Sequence, residues 1–408
     1  MNILFIANLV PFPLDSGGKI KTFTSIQALS KNNLVDLLCF YEQENCKEAE
    51  SALKPYCRNI KMIPIRVTTS ENIRYMMFQA LKCLFSLNTI SVYKYHRVEM
   101  ENEICKFMDG YDYQVAYFNI LQVYSYKKQI KSIKKDIKCI LDTQNCETQI
   151  IKRYAQESNN IFKKLYLKFE EKKLKRFERW AIKDADKLIL LSNEDKIQLE
   201  RLCRSELKCE IIPIGVLRPS KVKVVDIDKA DDTINILFLG TLTWAPNSEG
   251  IIWFLENVIQ KLGHKIGKFH LYIVGKNPGN KLKELANQFS NITITGYVDS
   301  VDEYYEKCDF MIVPLFIGSG QRVKIIESFS RGMPVLSTSV GAEGLMCRNG
   351  EDILIADDAE NFVRQIEVMR DKKIRKKLSC NGRKLFEKYY SVEAVAKKLC
   401  DVVDCIQK

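Results

Sequence analysis

Residues 318–327 read Gly318-Ser319-Gly320-Gln321-Arg322-Val323-Lys324-Ile325-Ile326-Glu327. The apolar run just before them, residues 309–314, ends in a proline and is typical of a buried strand. A glycine-rich turn between a strand and a helix presents free backbone N–H groups to an anion, and Arg322 and Lys324 would add positive charge there. Lys324 and Glu327 would share one helix face. The stretch therefore predicts a site for a phosphorylated ligand that carries hydroxyls, with a capped surface helix as the alternative.

Short apolar runs alternate with longer amphipathic stretches along most of the chain. This alternation predicts βαβ units and parallel sheets, and the number of runs suggests two sheets. The runs in the first half are 3–7, 34–40, 60–65, 115–118, 139–141 and 188–191. Those in the second half are 234–239, 269–274, 292–295, 310–313, 335–337 and 353–355.

The strand pattern restarts at Ile234, after a polar and charged stretch at 218–233 that has the composition of a linker. A chain of 408 residues also exceeds the size at which a single core stops growing. We therefore predict two domains, residues 1–216 and 217–390. An amphipathic helix at 391–408 is expected to pack back on the first domain.

The composition indicates a reduced compartment and no structural metal. The 14 cysteines are scattered singly, without a CxxC pair, and only three histidines occur. The N-terminus begins as a strand and lacks the features of a signal peptide, and no run of about 18 apolar residues could span a bilayer. We therefore expect a cytoplasmic protein.

Positive charge is concentrated in the first half of the chain, which carries 36 Lys and Arg against 26 Asp and Glu up to residue 218. Residues 152–183 hold eleven cations and four acids, interleaved with Phe162, Tyr166, Phe169, Phe177 and Trp180. Such a helix suits peripheral contact with an anionic membrane, at the inner face of the cell membrane; a solvated helix face is the alternative. No recognition motif for nucleic acid accompanies the charge, so no nucleic-acid partner is predicted.

Two strand-to-helix loops complete the predicted site. Gly17 and Gly18 follow the first strand of the first domain, and Gly240 to Asn247 follow the first strand of the second. Ligands of parallel sheets bind beyond the carboxyl ends of strands, so these loops are expected to face each other across a cleft. The Gly17-Gly18 loop is not a GxGxxG dinucleotide fingerprint, and a turn without a ligand is the alternative there.

The second half of the chain resembles the family 4, or group 1, retaining glycosyltransferases of the GT-B fold. The "GxxxWxPN" opening matches residues 240–247, and the "GxGxRxKxxE" loop matches residues 318–327. Three further motifs match in the correct order: 296–309, 330–338 and 341–345. In the first half, only Gly17-Gly18 and residues 141–145 carry a weak resemblance.

The resemblance implies a donor site without cofactor or metal, occupied by a nucleoside-diphosphate sugar. Arg322 and Lys324 would be the catalytic cations that bind the diphosphate and stabilise the leaving group. Glu327 would accept hydrogen bonds from the ribose. The remaining donor-binding residues would be Gly17, Gly18, Gly240, Asn247, Gly296, Tyr297, Val298, Ser319 and Gly320. Asp142 and Asn145 would lie on the acceptor side, with a helix N-cap as the alternative for Asp142.

Three departures from the family pattern concern the reaction itself. Ser319 stands where many members have a second glutamate, and Thr241, Thr243 and Trp244 occupy a loop that in those members supplies an Arg/Lys pair. Residues 142–145 contain no histidine. The missing histidine fits a front-face reaction in which the leaving phosphate takes the acceptor's proton.

The resemblance predicts transfer of a sugar, with retention, to a hydroxyl of a lipid-linked or surface glycan, as in polysaccharide biosynthesis. Two alternatives remain open at the level of the sequence. A nucleotide-sugar epimerase would share the fold, although its chemistry normally needs titratable groups in the cleft and the histidines lie outside every motif. A protein that binds a nucleotide sugar without turnover would also fit, given Ser319.

Overall fold

The computed structural model describes residues 1–42, 46–66, 83, 86, 88–158, 160–225, 233–262, 267–318 and 320–406. The chain folds into two compact units. The first comprises Met1–Ile214 and Val395–Lys408, and the second comprises Gly215–Ala394. We call them the N-terminal unit and the C-terminal unit.

The N-terminal unit is built on a seven-stranded parallel sheet with the order β3-β2-β1-β4-β5-β6-β7. Its strands are β1 (Asn2–Ala7), β2 (Leu34–Tyr41), β3 (Asn59–Pro64), β4 (Val115–Asn119), β5 (Lys138–Asp142), β6 (Lys187–Leu190) and β7 (Glu210–Ile211). All pairings are parallel, and strand order reverses between β1 and β4. The carboxyl ends of these two strands form the crevice where ligands bind in such sheets.

The helices of this unit cover both faces of the sheet. They are α1 (Gly17–Leu29), α2 (Cys46–Leu53), α3 (Ile90–Tyr93), α4 (Val98–Gly110), a 3₁₀ helix (Leu121–Tyr126), α5 (Lys127–Ile133), α6 (Glu147–Glu157), α7 (Ile161–Asp184) and α8 (Asn193–Cys203). Burial on both faces explains why β1 reads as an unbroken apolar run. Leu4 and Ile6 enter one core with Phe118, whereas Ile3 and Phe5 enter another.

The C-terminal unit repeats this plan with a six-stranded parallel sheet in the order β10-β9-β8-β11-β12-β13. The strands are β8 (Ile234–Leu239), β9 (Phe269–Val274), β10 (Ile292–Gly296), β11 (Phe310–Val313), β12 (Val335–Ser337) and β13 (Leu354–Ile355). Strand order reverses between β8 and β11. The two parallel sheets confirm the predicted α/β fold class, and each of the twelve apolar runs overlaps a strand.

Helices again flank the second sheet. They are α9 (Ala245–Phe254), continued by a π-helical turn (Leu255–Ile259) and Gln260–Leu262, then α10 (Asn280–Ala286), α11 (Asp302–Lys307), α12 (Val323–Arg331), α13 (Ala359–Val368) and α14 (Lys372–Leu385), continued by Phe386–Tyr390. The last helix, α15 (Val392–Asp404), places Val395, Leu399 and Val403 in the core formed by β1, β2 and α1. Cys400 Sγ donates a hydrogen bond to Ala28 O at 3.5 Å.

One local prediction was wrong at the start of α1. Gly17 and Gly18 do not form a loop but the first turn of the helix, with Ser16 at the N-cap. Within the described residues, no helix is both long and apolar enough to cross a membrane.

Candidate functional site

The candidate site lies at the carboxyl edge of the C-terminal sheet, where strand order reverses. The loop after β8 leads into α9, and residues 314–322 lead from β11 into α12. Gly318 and Gly320 have φ values of +127° and +81°, which favour glycine at both positions. Ser319, predicted to bind the donor, lies outside the described residues. The turn therefore has the conformation that its glycines predict.

Arg322 occupies the N-cap position of α12, and its side chain folds against the glycine turn. A Cβ atom at Gly318 would lie only 2.7 Å from Arg322 Nη2. The guanidinium is buried and lies 5.9 Å from the ring centroid of Trp244, which is 43% exposed. A full positive charge thus sits at the N-terminus of a helix, where the helix dipole also attracts anions.

Lys324, in the first turn of α12, is held by Asn247 from the other loop. Lys324 Nζ donates a hydrogen bond to Asn247 Oδ1 at 2.7 Å, and Asn247 Nδ2 donates to Thr241 O at 2.9 Å. A Cβ at Gly240 would come within 2.7 Å of Lys324 Nζ, so a larger residue there would displace this ammonium from its position. Burial, with a smaller contribution from Arg322, lowers the pKa of Lys324 to about 7.

Glu327 lies one turn further along the same face of α12. Burial raises its pKa, while the positive charges of Arg331 and Lys324 act in the opposite direction. Arg331 is itself anchored, since its Nη2 lies 3.1 Å from Asp302 Oδ1. The carboxylate and the two cations are thus presented together by one short helix.

The other predicted donor-side residues lie at the end of β10. Gly296 is the last residue of that strand and has a φ of +73°. Tyr297 is 73% exposed and Val298 is half-buried. Because β9 separates β10 from β8, these residues lie at the same sheet edge but two strands from Gly240.

A hydrogen bond from Gln321 also holds the glycine turn in place. Gln321 is buried and its Nε2 donates a hydrogen bond to Gly344 O at 2.8 Å. This bond connects residues 318–327 with 341–345, two stretches that the sequence singled out separately.

In the N-terminal unit, Asp142 is fully buried and engaged by two neighbours. Lys21 Nζ donates a hydrogen bond to its Oδ1 at 2.6 Å, and Tyr117 OH donates to its Oδ2 at 2.6 Å. The carboxylate therefore has no exposed surface for an acceptor hydroxyl, and Cys146, not Asp142, is the N-cap of α6. The N-cap alternative for Asp142 was wrong, whereas its acceptor-side role stays a prediction that its burial disfavours. Asn145 is half-buried, and its carbonyl accepts a hydrogen bond from Thr143 Oγ1 at 2.9 Å.

A family model described as "Glycosyl transferases group 1" matches residues 233–371. The match covers β8 to α13 and includes all three charged side chains of α12. Residues 233–371 are thus similar to the group 1 glycosyltransferases. This similarity, together with the fold, identifies the chain as a glycosyltransferase.

Relatives of this glycosyltransferase span nearly its full length. An uncharacterized 44.6 kDa protein in the cps region of Klebsiella pneumoniae is 25% identical over 378 residues, 89% of each chain. Sucrose-phosphate synthase from Thermosynechococcus elongatus has a TM-score of 0.68 at 16% identity and covers 100% of this chain and 99% of its own. HepE from Anabaena, in complex with UDP and glucose, has a TM-score of 0.62 at 11% identity and covers 99% and 100%. These likenesses establish the GT-B fold.

The sequence assigned no role to three carboxamides that are buried at the carboxyl edge of the glycosyltransferase's N-terminal sheet. Asn119 Nδ2, Gln122 Oε1 and Gln144 Nε2 are buried atoms without a hydrogen-bond partner among the residues that the structure describes. Asn119 ends β4, and its Oδ1 accepts from Thr22 Oγ1 at 2.8 Å. Gln144 Oε1 would lie 2.8 Å from a Cβ at Gly18. Buried polar groups normally have partners, so this edge has spare capacity for ligand hydroxyls.

The described part of the glycosyltransferase contains no group of three or more His, Cys, Asp or Glu side chains arranged to hold a metal ion. The positive groups at the candidate site are Arg322, Lys324 and the N-terminus of α12. Cations and helix N-termini can stabilise a developing phosphate charge in the position that a metal takes in other enzymes.

Proposed function

We propose that this glycosyltransferase transfers a sugar from a nucleoside-diphosphate donor to a hydroxyl, with retention of configuration and without a metal ion. The observation that carries the proposal is the grouping of Arg322, Lys324 and Glu327 at the start of α12, beside the reversal of strand order. Two cations match a diphosphate, and a carboxylate matches the vicinal hydroxyls of a ribose. A structural neighbour solved with UDP and glucose supports this donor class.

The cations would act on the leaving group. As the bond between the anomeric carbon and the diphosphate oxygen breaks, negative charge grows on that oxygen, and Lys324 and Arg322 would stabilise it. The acceptor hydroxyl attacks the same face of the sugar, and its proton passes to the departing phosphate oxygen. Asn247 holds Lys324 in place and is therefore a positioning residue.

On the acceptor side, the proposal names Asn119, Gln122 and Gln144 instead of Asp142. Neutral carboxamides donate and accept hydrogen bonds, which suits the hydroxyls of a glycan. The acceptor would be a lipid-linked or growing surface glycan, used at the inner face of the cell membrane. The exposed aromatic residues and lysines of α7 support contact with such a surface.

The proposal is tested with purified protein, a panel of nucleoside-diphosphate sugars and a membrane extract. We expect release of nucleoside diphosphate only when extract is present, and a product with the donor's anomeric configuration by NMR. A changed sugar on an intact nucleotide would instead indicate epimerisation, and binding without products would indicate a non-catalytic protein.

Matched variants test the site itself. Lys324→Ala and Arg322→Ala should each lower turnover by about 10²-fold or more, because a transition-state charge contact is lost. Lys283→Ala removes an exposed lysine of the same unit and should leave turnover unchanged. Near-normal turnover in both site variants would refute the assignment.

A further inference from the structure

A cavity of about 640 Å³ lies in the N-terminal unit, between the 3₁₀ helix, α5 and α7. Aromatic and cationic side chains share its lining: Tyr126, Phe177, Trp180, Lys128, Lys173 and Arg176. None of these residues belongs to the donor site described above. The mixture of apolar surface and positive charge is that of a site for an anion attached to an apolar group.

The cations are arranged around the aromatic rings. Lys128 Nζ lies 5.5 Å from the ring centroid of Trp180, and the side chain of Lys173 is only 12% exposed. Glu101 also lines the cavity, where its Oε1 lies 3.4 Å from Nε2 of His96. Lys173 is already engaged, since its Nζ lies 3.5 Å from Glu170 Oε1 and donates a hydrogen bond to Cys83 O at 2.6 Å. Lys128 and Arg176 still outnumber Glu101, so the lining favours an anion.

The same side of α7 continues beyond the cavity as an apolar stripe, which we define as Phe162, Leu165 and Phe169. These side chains are 80%, 59% and 40% exposed. Their spacing of three and four residues repeats through Lys173 and Arg176, which places stripe and cavity on one helix face. Lys173 Nζ lies 4.5 Å from the Phe169 ring centroid, at the junction between the two.

From this arrangement we infer that the cavity and stripe bind a phosphate-bearing lipid held in a membrane. The phosphate lies among Lys128, Lys173 and Arg176, and the apolar chain follows the stripe for roughly 16 Å, the rise of α7 from Phe162 to Lys173. The lipid is then bound both by electrostatic attraction and by burial of apolar surface, the two contributions that stable attachment to a membrane requires.

The cavity also adjoins the proposed acceptor edge. The 3₁₀ helix supplies Tyr126 to the cavity and Gln122 to the carboxamide cluster. These positions are roughly 8 Å apart along a helix that rises about 2 Å per residue. A lipid bound by its phosphate would therefore present its polar end towards Asn119 and Gln144. This last step rests on the proposed function, whereas lipid binding itself does not.

The test is co-sedimentation of the full chain with vesicles of phosphatidylcholine alone or mixed in equal parts with phosphatidylglycerol. We expect binding to the mixed vesicles, weakened about tenfold or more by Lys128→Glu or Arg176→Glu, since each basic residue near an anionic surface contributes several-fold. Phe162→Ser should also weaken it. These side chains are exposed, so the variants should fold.

Lys175→Glu is the matched control, because Lys175 is exposed on α7 but points about 100° away from Arg176 and does not line the cavity. We expect it to change binding less than threefold. If Lys175→Glu weakened binding as much as Arg176→Glu, the attraction would be diffuse and the proposed site would be overturned. Equal binding to neutral vesicles, or displacement of the protein from vesicles by inorganic phosphate, would also overturn it. Vesicle binding does not require sugar transfer, so its outcome is independent of whether the proposed reaction occurs.

Discussion

The charge of Lys324 depends on pH in the physiological range, because burial and the neighbouring Arg322 lower its pKa to about 7. The free enzyme carries this cation below about pH 7 and loses it above. The affinity for a nucleoside diphosphate should therefore fall as the pH rises through about 7. Calorimetric titration with UDP on both sides of that pH measures the effect.

Lys324→Met is the reference for this pH profile, since it removes the titrating group but keeps an apolar chain of similar length. The variant should bind UDP more weakly at low pH and show a flatter profile. If the pH dependence of UDP affinity were unchanged in Lys324→Met, a group other than Lys324 would be responsible for it.

The buried pair between Lys21 and Asp142 is expected to stabilise the fold. Both side chains are 1% exposed. Asp142→Ala would leave the ammonium buried without its partner, which costs about 3–5 kcal/mol in the free energy of unfolding. Chemical denaturation should show this loss.

Combining Lys21→Met with Asp142→Asn should restore most of the stability, because no unpaired charge remains and the new carboxamide still offers an oxygen to Tyr117 OH. Normal stability in Asp142→Ala, with a raised KM for the acceptor alone, would return Asp142 to the acceptor site.

The sequence predicted which charged residues lie together where that grouping depends on local order in the chain. Arg322, Lys324 and Glu327 lie within six positions, so a strand-turn-helix pattern is enough to group them. Gln144 lies far along the chain from Asn119 and Gln122, and the sequence shows neither the burial nor the unpaired atoms of these three side chains. The burial of Asp142 against Lys21 was not predictable for the same reason, since the two residues are distant in the chain.

Among the elements, α9 packs unusually close to the end of β11. A Cβ at Gly250 would lie 2.0 Å from Pro314 O, a backbone atom that cannot rotate away. Gly250→Ala should therefore destabilise the protein by about 2 kcal/mol or more, although alanine favours a helix by about 1 kcal/mol. Denaturant unfolding provides the measurement.

Gly110→Ala in α4 is the matched helix control, because a Cβ there would meet no atom within 4 Å. It should be neutral or stabilise the fold by about 0.4–1 kcal/mol. If Gly250→Ala and Gly110→Ala changed the free energy of unfolding equally, close packing of α9 would not explain the effect at Gly250.

The strands were predictable because burial on both faces leaves continuous apolar runs. The positions at which helices begin were not predictable from the sequence, as α1 shows. Its first turn contains two glycines, which intrinsic propensity disfavours, and the contact of Gly18 with Gln144 is visible only in the fold. The two-residue strand β7 is too short to give a periodic signal.

For the whole molecule, α15 connects the end of the described chain to the first core. Leu399 is 1% exposed and packs with β1, β2 and α1. Leu399→Ala should cost about 3 kcal/mol and speed amide hydrogen exchange in those three elements, while β8 to β13 stay protected. Lys397→Ala, on the exposed side of the same helix, should change neither. Faster exchange confined to the C-terminal unit would contradict this division of the chain.

The discontinuous N-terminal unit has a consequence for synthesis on the ribosome. Residues 1–214 emerge first, but the helix that covers Ile3 and Phe5 follows only after all of Gly215–Ala394 has been translated. Throughout that interval the nascent chain lacks the helix that covers part of this core, and exposed apolar surface is what chaperones recognise. Translation speed and chaperone supply, while residues 215–394 are synthesised, should therefore limit the yield of correctly folded N-terminal unit.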